Sequence, residues 1–272
     1  MNLSKYFQKV NWQPSLELIA PITLGLLALL AWEFSVRLTH TPPYLLPGPL
    51  LIFQTLIQDW STLFPALFTT FKITICAFGA ATISGLLIAI LMAQNKWVEK
   101  SLYPYAIVLQ TIPLAAIAPL IIIWLRNNTF LALVVCAWIA AIFPIISNTT
   151  FGLNSADPAL RDLFRLYKAS RWQTMRYLRL PSALPYFLAG LRISGGLSLI
   201  GAVVAEFVAG SGGANSGIAY QILMAGYNLE IPRMFAALLL VTILGIIIFV
   251  VLEISSTALL SGWHESSIRR DV

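Results

Sequence analysis

The chain has 272 residues, of which 58% are hydrophobic and 10% are charged, and its formal net charge is +6. Soluble domains carry about 25% charged residues, so this composition excludes an ordinary soluble protein and indicates a polytopic membrane protein. The basic balance would suit nucleic-acid binding in a soluble protein, but here it also fits the cytoplasmic excess of Lys and Arg in membrane proteins. Cys76 and Cys136 lie in apolar segments without metal-ligand or disulfide spacing, so both are predicted to be buried.

Six apolar segments are each long enough to cross about 30 Å of hydrocarbon, and together they predict an all-α fold. The predicted spans are residues 18–38, 69–92, 104–124, 129–149, 184–208 and 235–260. They form a membrane domain over residues 18–260, flanked by tails at 1–17 and 261–272. The first tail is predicted to be either an interfacial helix or disordered.

A short amphipathic helix is predicted on the outer side, between the first two spans. Its apolar residues recur at helical spacing and are Leu50, Phe53, Leu56 and Ile57. Prolines flank the segment at both ends and are predicted to break the chain there. A re-entrant segment is the alternative.

Lys and Arg are distributed unevenly across this predicted domain. With six spans both termini share one side, which carries twelve of the seventeen Lys and Arg residues. The opposite side carries at most four, which are Arg37, Lys72, Arg126 and Arg233. The positive-inside rule therefore predicts that both termini and the segment between the fourth and fifth spans face the cytoplasm. This explains the basic charge without nucleic acid.

The segment between the fourth and fifth spans predicts two short helices. Asp157 and Pro158 are typical of a helix start. One apolar face follows, formed by Leu160, Leu163, Phe164 and Tyr167. Ser170 and Gln173 then give the S-x-x-Q pattern of a capping box, which begins a second helix. Pro181 is predicted to end that helix.

Three roles compete for this basic, amphipathic segment: contact with anionic lipid headgroups, nucleic-acid binding, and docking of a soluble partner. Cytoplasmic loops of membrane proteins commonly carry such charge, which disfavours nucleic acid. The specific order of caps, apolar face and closing residues favours a docked partner.

The closing residues, Leu178-Arg179-Leu180-Pro181, resemble the end of a loop in the permease subunits of ABC importers. That loop has the pattern E-A-A-x3-G-x9-I-x-L-P. Counting back from Pro181 puts Lys168 at the Gly position and Asp162, Leu163 and Phe164 at the E-A-A positions. The runs QTIPLAAIAPLIIIW and IGAVVAEFVAG are similar to the branch that serves sulfonates, taurine, nitrate, bicarbonate and thiamine-type precursors.

One departure from the pattern concerns the turn between the two short helices. Lys168 stands where the family has glycine, and a left-handed backbone costs a lysine about 1 kcal/mol. Either the turn differs in this chain, or other contacts hold the lysine in that conformation.

The resemblance implies a type I ABC importer permease fold with a cytoplasmic coupling loop at residues 150–183. It also implies that the protein lies in the inner membrane of a bacterium and pairs with a second permease copy, most simply as a homodimer. The other implied partners are an ATPase dimer and an extracytoplasmic binding protein. ATP and Mg²⁺ would then belong to the ATPase, since this chain has no G-x-x-x-x-G-K-[ST] run. A self-contained secondary transporter or channel is the alternative, and an integral membrane enzyme is a third reading.

Four residues are candidates for lining the translocation pathway: Gln110, Pro113, Asn148 and Glu206. An ionisable group within a span is a functional candidate by default, although a structural hydrogen bond to a neighbouring helix is the favoured role for Glu206. The glycine-rich residues 210–217 predict a flexible external connection that contacts the binding protein. The sequence has no paired carboxylates, nucleophile–base set or metal-ligand cluster, so no catalysis or metal site is expected in this chain.

Overall fold

The computed structural model describes residues 16–210 and 216–260, and in this part of the chain the regular elements are helices. The α-helices are α1 (Leu16–Leu38), α2 (Pro49–Gln58), α3 (Trp60–Gln94), α4 (Lys96–Thr111), α5 (Leu114–Trp124), α6 (Thr129–Asn154), α7 (Pro158–Leu166), α8 (Arg171–Thr174), α9 (Leu180–Ala209), α10 (Ile218–Tyr227) and α11 (Ile231–Leu260). A π-helical turn, Met175–Arg179, joins α8 to α9. The predicted tails fall almost entirely outside the described residues.

The third predicted span is broken into two helices. α4 and α5 meet at a bend of 97°. Ile112 is extended, with φ −67° and ψ 124°, because a residue before proline is driven away from the helical region, and Pro113 lacks the N–H that would continue the helix. The described chain therefore has five continuous helices of membrane-spanning length, or six spans when the bent pair counts as one.

Pro65 does not break the chain, although the sequence predicted a break there. Pro65 lies inside α3, which begins at Trp60 and so extends well before residue 69. Pro65 removes one backbone hydrogen bond from α3, and the helix continues through it. The short amphipathic helix between the first two spans is confirmed as α2.

Pro181 does not end the second loop helix, because the chain stays helical from Arg171 to Ala209. The Leu180 N–H instead bonds the Met175 carbonyl, five residues back. This wider turn makes room for the proline ring and its missing N–H. The coupling loop consequently continues into α9 as one helical rod.

The α6–α9 pair forms the centre of the molecule, with α3 packed on both helices. At Gly190 a Cβ would lie only 2.9 Å from the Pro144 carbonyl oxygen, so the two backbones approach closely enough to require glycine. Cys136 is buried in this core as predicted, but Cys76 is exposed. The prediction for Cys76 was wrong because an apolar helix in a membrane also has a face that is not packed against protein.

Candidate functional site

The coupling loop begins with a capped helix, as predicted. Asp157 Oδ1 accepts a hydrogen bond from the Ala159 N–H at 2.7 Å, and Pro158 is the first residue of α7. The cap satisfies one of the N–H groups that a helix start leaves unpaired. The start of α7 is therefore fixed by its own sequence.

The end of α7 keeps the left-handed backbone that glycine would favour, although the residue is Lys168. Its φ is 50°. The Lys168 N–H donates to the Arg165 carbonyl at 2.9 Å, and the Ala169 N–H donates to the Phe164 carbonyl at 2.9 Å. These two bonds form a Schellman motif. The turn expected for glycine is therefore kept in this chain, and backbone hydrogen bonds hold Lys168 in the left-handed conformation.

The capping box that begins α8 is also confirmed. The Gln173 N–H donates to Ser170 Oγ at 3.2 Å, and the Ser170 N–H donates to Gln173 Oε1 at 2.7 Å. The capping box therefore satisfies two of the N–H groups that this helix start leaves without a partner. The turn between α7 and α8 is held by hydrogen bonds on each side.

The two capped helices and the turn between them border an open groove of about 360 Å³. Its lining, called the loop groove below, is Leu163, Phe164, Tyr167, Ala169, Gln173 and Tyr177. Leu163 is 43% exposed and Tyr167 is 80% exposed, and α7 buries no residue. An exposed apolar surface on a short, rigid helix is typical of an interaction site.

The residues of the predicted motif divide between two sides of the coupling loop. Leu163 and Phe164 line the loop groove, and the nearby Asp162 is exposed and pairs with Arg165 at 3.3 Å. At the other end of the motif, Leu178 is buried, and Leu180 and Pro181 line a separate cavity against α3 and α6. The first half of the motif is therefore exposed on the surface of the loop, and the second half packs against the membrane helices.

Two arginines that the sequence suggested only as basic charge anchor this loop. Arg161 Nη2 donates to the carbonyls of Asn154 and Ala156, each at 3.2 Å, at the end of α6. Arg179 Nη1 donates to the Ala93 carbonyl, near the end of α3, at 2.6 Å. No local sequence signal predicts the second contact, since its partners are 86 residues apart.

The four pathway candidates lie on different elements. Gln110 and Pro113 are exposed beside the break between α4 and α5. Asn148 is half-buried in α6, and its Nδ2 donates to the Pro144 carbonyl at 2.8 Å. In the described part of the chain, none of the four hydrogen-bonds another, so their pathway role stays a prediction.

Glu206 is 3% exposed and joins three helices near the C-terminal end of α9. The Thr70 hydroxyl of α3 donates to Glu206 Oε1 at 2.8 Å, and the Ala219 N–H at the start of α10 donates to Oε2 at 3.1 Å. Thr70 Oγ1 also accepts from the Ile218 N–H at 2.9 Å. A carboxylate is stabilised at a helix N-terminus by the free N–H groups there. These contacts give Glu206 a structural function.

The remaining site predictions concern the external connection and metals. Residues 211–215 of the predicted connection lie outside the described residues. Within the described ranges, no group of three or more His, Cys, Asp and Glu residues could hold a metal ion.

Residues 81–260 match the family described as binding-protein-dependent transport system inner membrane component. The match covers the broken span, the coupling loop and the last three helices. The chain belongs to this family. It is therefore a permease subunit of an ATP-driven importer.

Relatives along most of the chain carry names of the same kind. The permease is 32% identical to the formylaminopyrimidine transport permease protein ThiX of Halalkalibacterium halodurans, over 88% of this chain and 94% of ThiX. It is 33% identical to the riboflavin transport system permease protein RibX of Chloroflexus aurantiacus, over 95% and 94%. It is 34% identical to the nitrate import permease protein NrtB of a Synechocystis strain, over 63% and 60%.

The fold is that of a type I ABC importer permease. A chain of the MetNI methionine ABC transporter, in an inward-facing conformation, superposes with a TM-score of 0.62 at 17% identity, covering 74% of this permease and 97% of that chain. In this family the permease is not an enzyme, and a separate subunit hydrolyses ATP. Family membership thus decides against the self-contained transporter and the membrane enzyme.

Proposed function

We propose that this permease works as a homodimer on two ATPase subunits, and that each ATPase binds a loop groove. The observation that carries the proposal is the loop groove itself: exposed apolar side chains on two capped helices. Leaving such a surface in water costs a free energy of about 25 cal/mol for each Å² of apolar area. A soluble partner that covers it recovers that free energy.

Anionic headgroups are the competing occupant of this surface, and the contacts disfavour them. The lining of the loop groove is aromatic and aliphatic, with Gln173 as its polar member, and it contains no Lys or Arg. Headgroup binding requires clustered cations. In this proposal membrane lipid contacts the spans and not the loop groove, and nucleic acid is not a partner.

The coupling loop and both termini lie in the cytoplasm of a bacterial cell in this proposal, and the membrane is the inner one. The uneven distribution of Lys and Arg supports that orientation. ATP and Mg²⁺ bind the partner ATPase, whereas an extracytoplasmic binding protein delivers the substrate to the opposite face. The exposed break between α4 and α5, with Gln110 and Pro113, is our candidate for the pathway, because non-helical backbone at membrane depth is tolerated where it lines a cavity.

The substrate in this proposal is a small nutrient that is either an anion or a compound rich in nitrogen and oxygen. Relatives named for formylaminopyrimidine, riboflavin and nitrate transport support this class. Substrate choice within the class is assigned to the binding protein.

Co-purification and reconstitution test the proposed function. Two differently tagged copies of the permease are expressed with a candidate ABC ATPase and a candidate binding protein from the same bacterium. We expect each tag to recover the other copy and the ATPase. In proteoliposomes, a panel of small anions and of compounds rich in nitrogen and oxygen is tested. Uptake of one of these compounds should require ATP and the binding protein. Uptake driven by an ion gradient without ATP would contradict the proposal.

A further inference from the structure

Arg179 caps a membrane helix to which the coupling loop is not directly connected. Its Nη1 donates to the Ala93 carbonyl at 2.6 Å, and α3 ends at Gln94. The last four carbonyls of a helix have no partner within the helix, and a cation near that end is stabilised by the helix dipole. Arg179 therefore satisfies an orphan carbonyl of α3.

The connectivity makes this contact significant. The coupling loop enters from α6 and leaves into α9, so the backbone transmits its movement to these two helices directly. α3 has no direct backbone link to the loop and is reached through noncovalent contacts, which are the Arg179 bond and its packing against α6 and α9. A small apolar cluster joins the same elements, with Ala89 and Ala93 of α3 packed near Met175 and Ala183.

The Arg179 bond is strong compared with other polar contacts of the loop. Arg179 is half-buried, and a hydrogen bond from a charged group is stronger than one between neutral groups. The exposed Asp162–Arg165 pair contributes less, because solvent screens it. Arg161 fixes the other end of the loop to α6 in the same way.

α3 extends the effect of this contact across the protein. Its 35 residues, Trp60–Gln94, rise about 50 Å at 1.5 Å per residue. Near the outer end Thr70 binds Glu206 and the start of α10. One continuous helix thus joins the Arg179 contact to the outer hydrogen-bond cluster.

We infer that Arg179 is a positioning residue that makes α3 move with the coupling loop, so that closure of the ATPases displaces α3 together with α6 and α9. The inference rests on the proposed function, because the ATPases must bind the loop groove. Without Arg179, the loop moves but α3 follows incompletely. ATP hydrolysis then continues with less transport.

The test compares Arg179→Ala with Arg179→Lys and with Arg171→Ala in the full complex. Arg171 is the control, since it is exposed, lies on α8 of the same loop, and its side chain makes no hydrogen bond or ion pair with the described residues. The readouts are permease level in the membrane, ATPase co-purification, and substrate transported per ATP hydrolysed in proteoliposomes.

We expect Arg179→Ala to retain bound ATPase and to lower substrate transported per ATP about tenfold, which is the lower end of the factor that corresponds to one charged hydrogen bond. Arg179→Lys should restore part of the ratio, because an ammonium can donate to one carbonyl. Arg171→Ala should stay near the wild-type ratio. An unchanged ratio in Arg179→Ala, or loss of ATPase binding with no rescue by Lys, would overturn the inference.

Spin-label distances give a readout that does not depend on transport. Labels are placed at Leu91 on α3 and Trp172 on α8, both exposed, after Cys76 and Cys136 are replaced. The purified complex should give one narrow distance with and without nucleotide, and Arg179→Ala should broaden it. The same narrow distance in Arg179→Ala overturns the inference. If the wild type shows no ATP-driven uptake, the proposed function fails, and these distances still decide whether Arg179 ties the loop to α3.

Discussion

The Thr70 hydroxyl and the Glu206 carboxylate lie 2.8 Å apart, although 136 residues separate them in the chain. Thr70 also accepts the Ile218 N–H at 2.9 Å. One threonine therefore joins α3, α9 and α10 at a buried position. A hydroxyl in this position both donates and accepts, which no apolar residue of similar shape can do.

Thr70→Val should destabilise the detergent-solubilised permease by about 1–3 kcal/mol, because the buried Ile218 N–H loses its acceptor and Glu206 loses a donor. The measurement is the thermal midpoint of unfolding, followed by intrinsic fluorescence. Thr70→Ser keeps the hydroxyl and is the control, so it should retain most of the stability. Equal midpoints for Val and wild type would refute the structural role of this hydroxyl.

Gly217→Ala should also disturb the Glu206 cluster. A Cβ at Gly217 would overlap the Glu206 carboxylate, so either the carboxylate or the start of α10 must shift. Overpacking of this kind costs about 1–3 kcal/mol. The same thermal midpoint measures the loss.

Gly196→Ala is the matched control, since a Cβ at this position of α9 meets nothing within 4 Å. Alanine favours a helix over glycine by about 1 kcal/mol, so this variant should melt at the wild-type temperature or above it. If both alanine variants melt together, the contact between Gly217 and Glu206 does not determine stability here.

The helix starts of the coupling loop, which local sequence patterns encode, were predicted correctly. The Asp157 cap and the Ser170 capping box follow from residues within three positions of each other. The helix α10 was not predicted, because its ten residues carry no boundary signal except glycine. Pro113 was expected inside one span, since sequence alone does not reveal whether neighbours re-satisfy a proline's freed carbonyl or the helix bends there.

Long-range contacts within the candidate site could not be predicted from this sequence. In the sequence, Arg179 is recognisable only as one of several basic residues of the loop. Its bond to Ala93 depends on how α3 and α9 pack. Glu206 had two open interpretations for the same reason, because its hydrogen-bond partners are set by tertiary packing.

Lys168→Gly should stabilise the end of α7. A left-handed backbone costs a non-glycine residue about 1–2 kcal/mol, part of which is offset by the larger backbone entropy of glycine in the unfolded chain. The net gain of about 0.5–1 kcal/mol should slow amide exchange at residues 168 and 169 about two- to fivefold. Hydrogen–deuterium exchange of the coupling-loop peptides measures it.

Ala169→Gly provides the comparison for Lys168→Gly, because Ala169 is not among the residues with positive φ. Glycine there relieves no strain and adds backbone freedom, so exchange should become faster. Slower exchange in both variants would show that the left-handed conformation of Lys168 is not the cause.

Leu163→Asp should weaken ATPase binding by about 2 kcal/mol, or about thirtyfold in affinity, since a charge would be desolvated in the loop groove without a partner. The measurement is binding of the purified ATPase to the immobilised permease. Leu166→Asp is the control, because Leu166 is on the same helix and 80% exposed but does not line the groove. Equal losses in both variants would place the contact elsewhere on α7, and binding by Leu163→Asp at wild-type affinity would exclude the loop groove as the docking site.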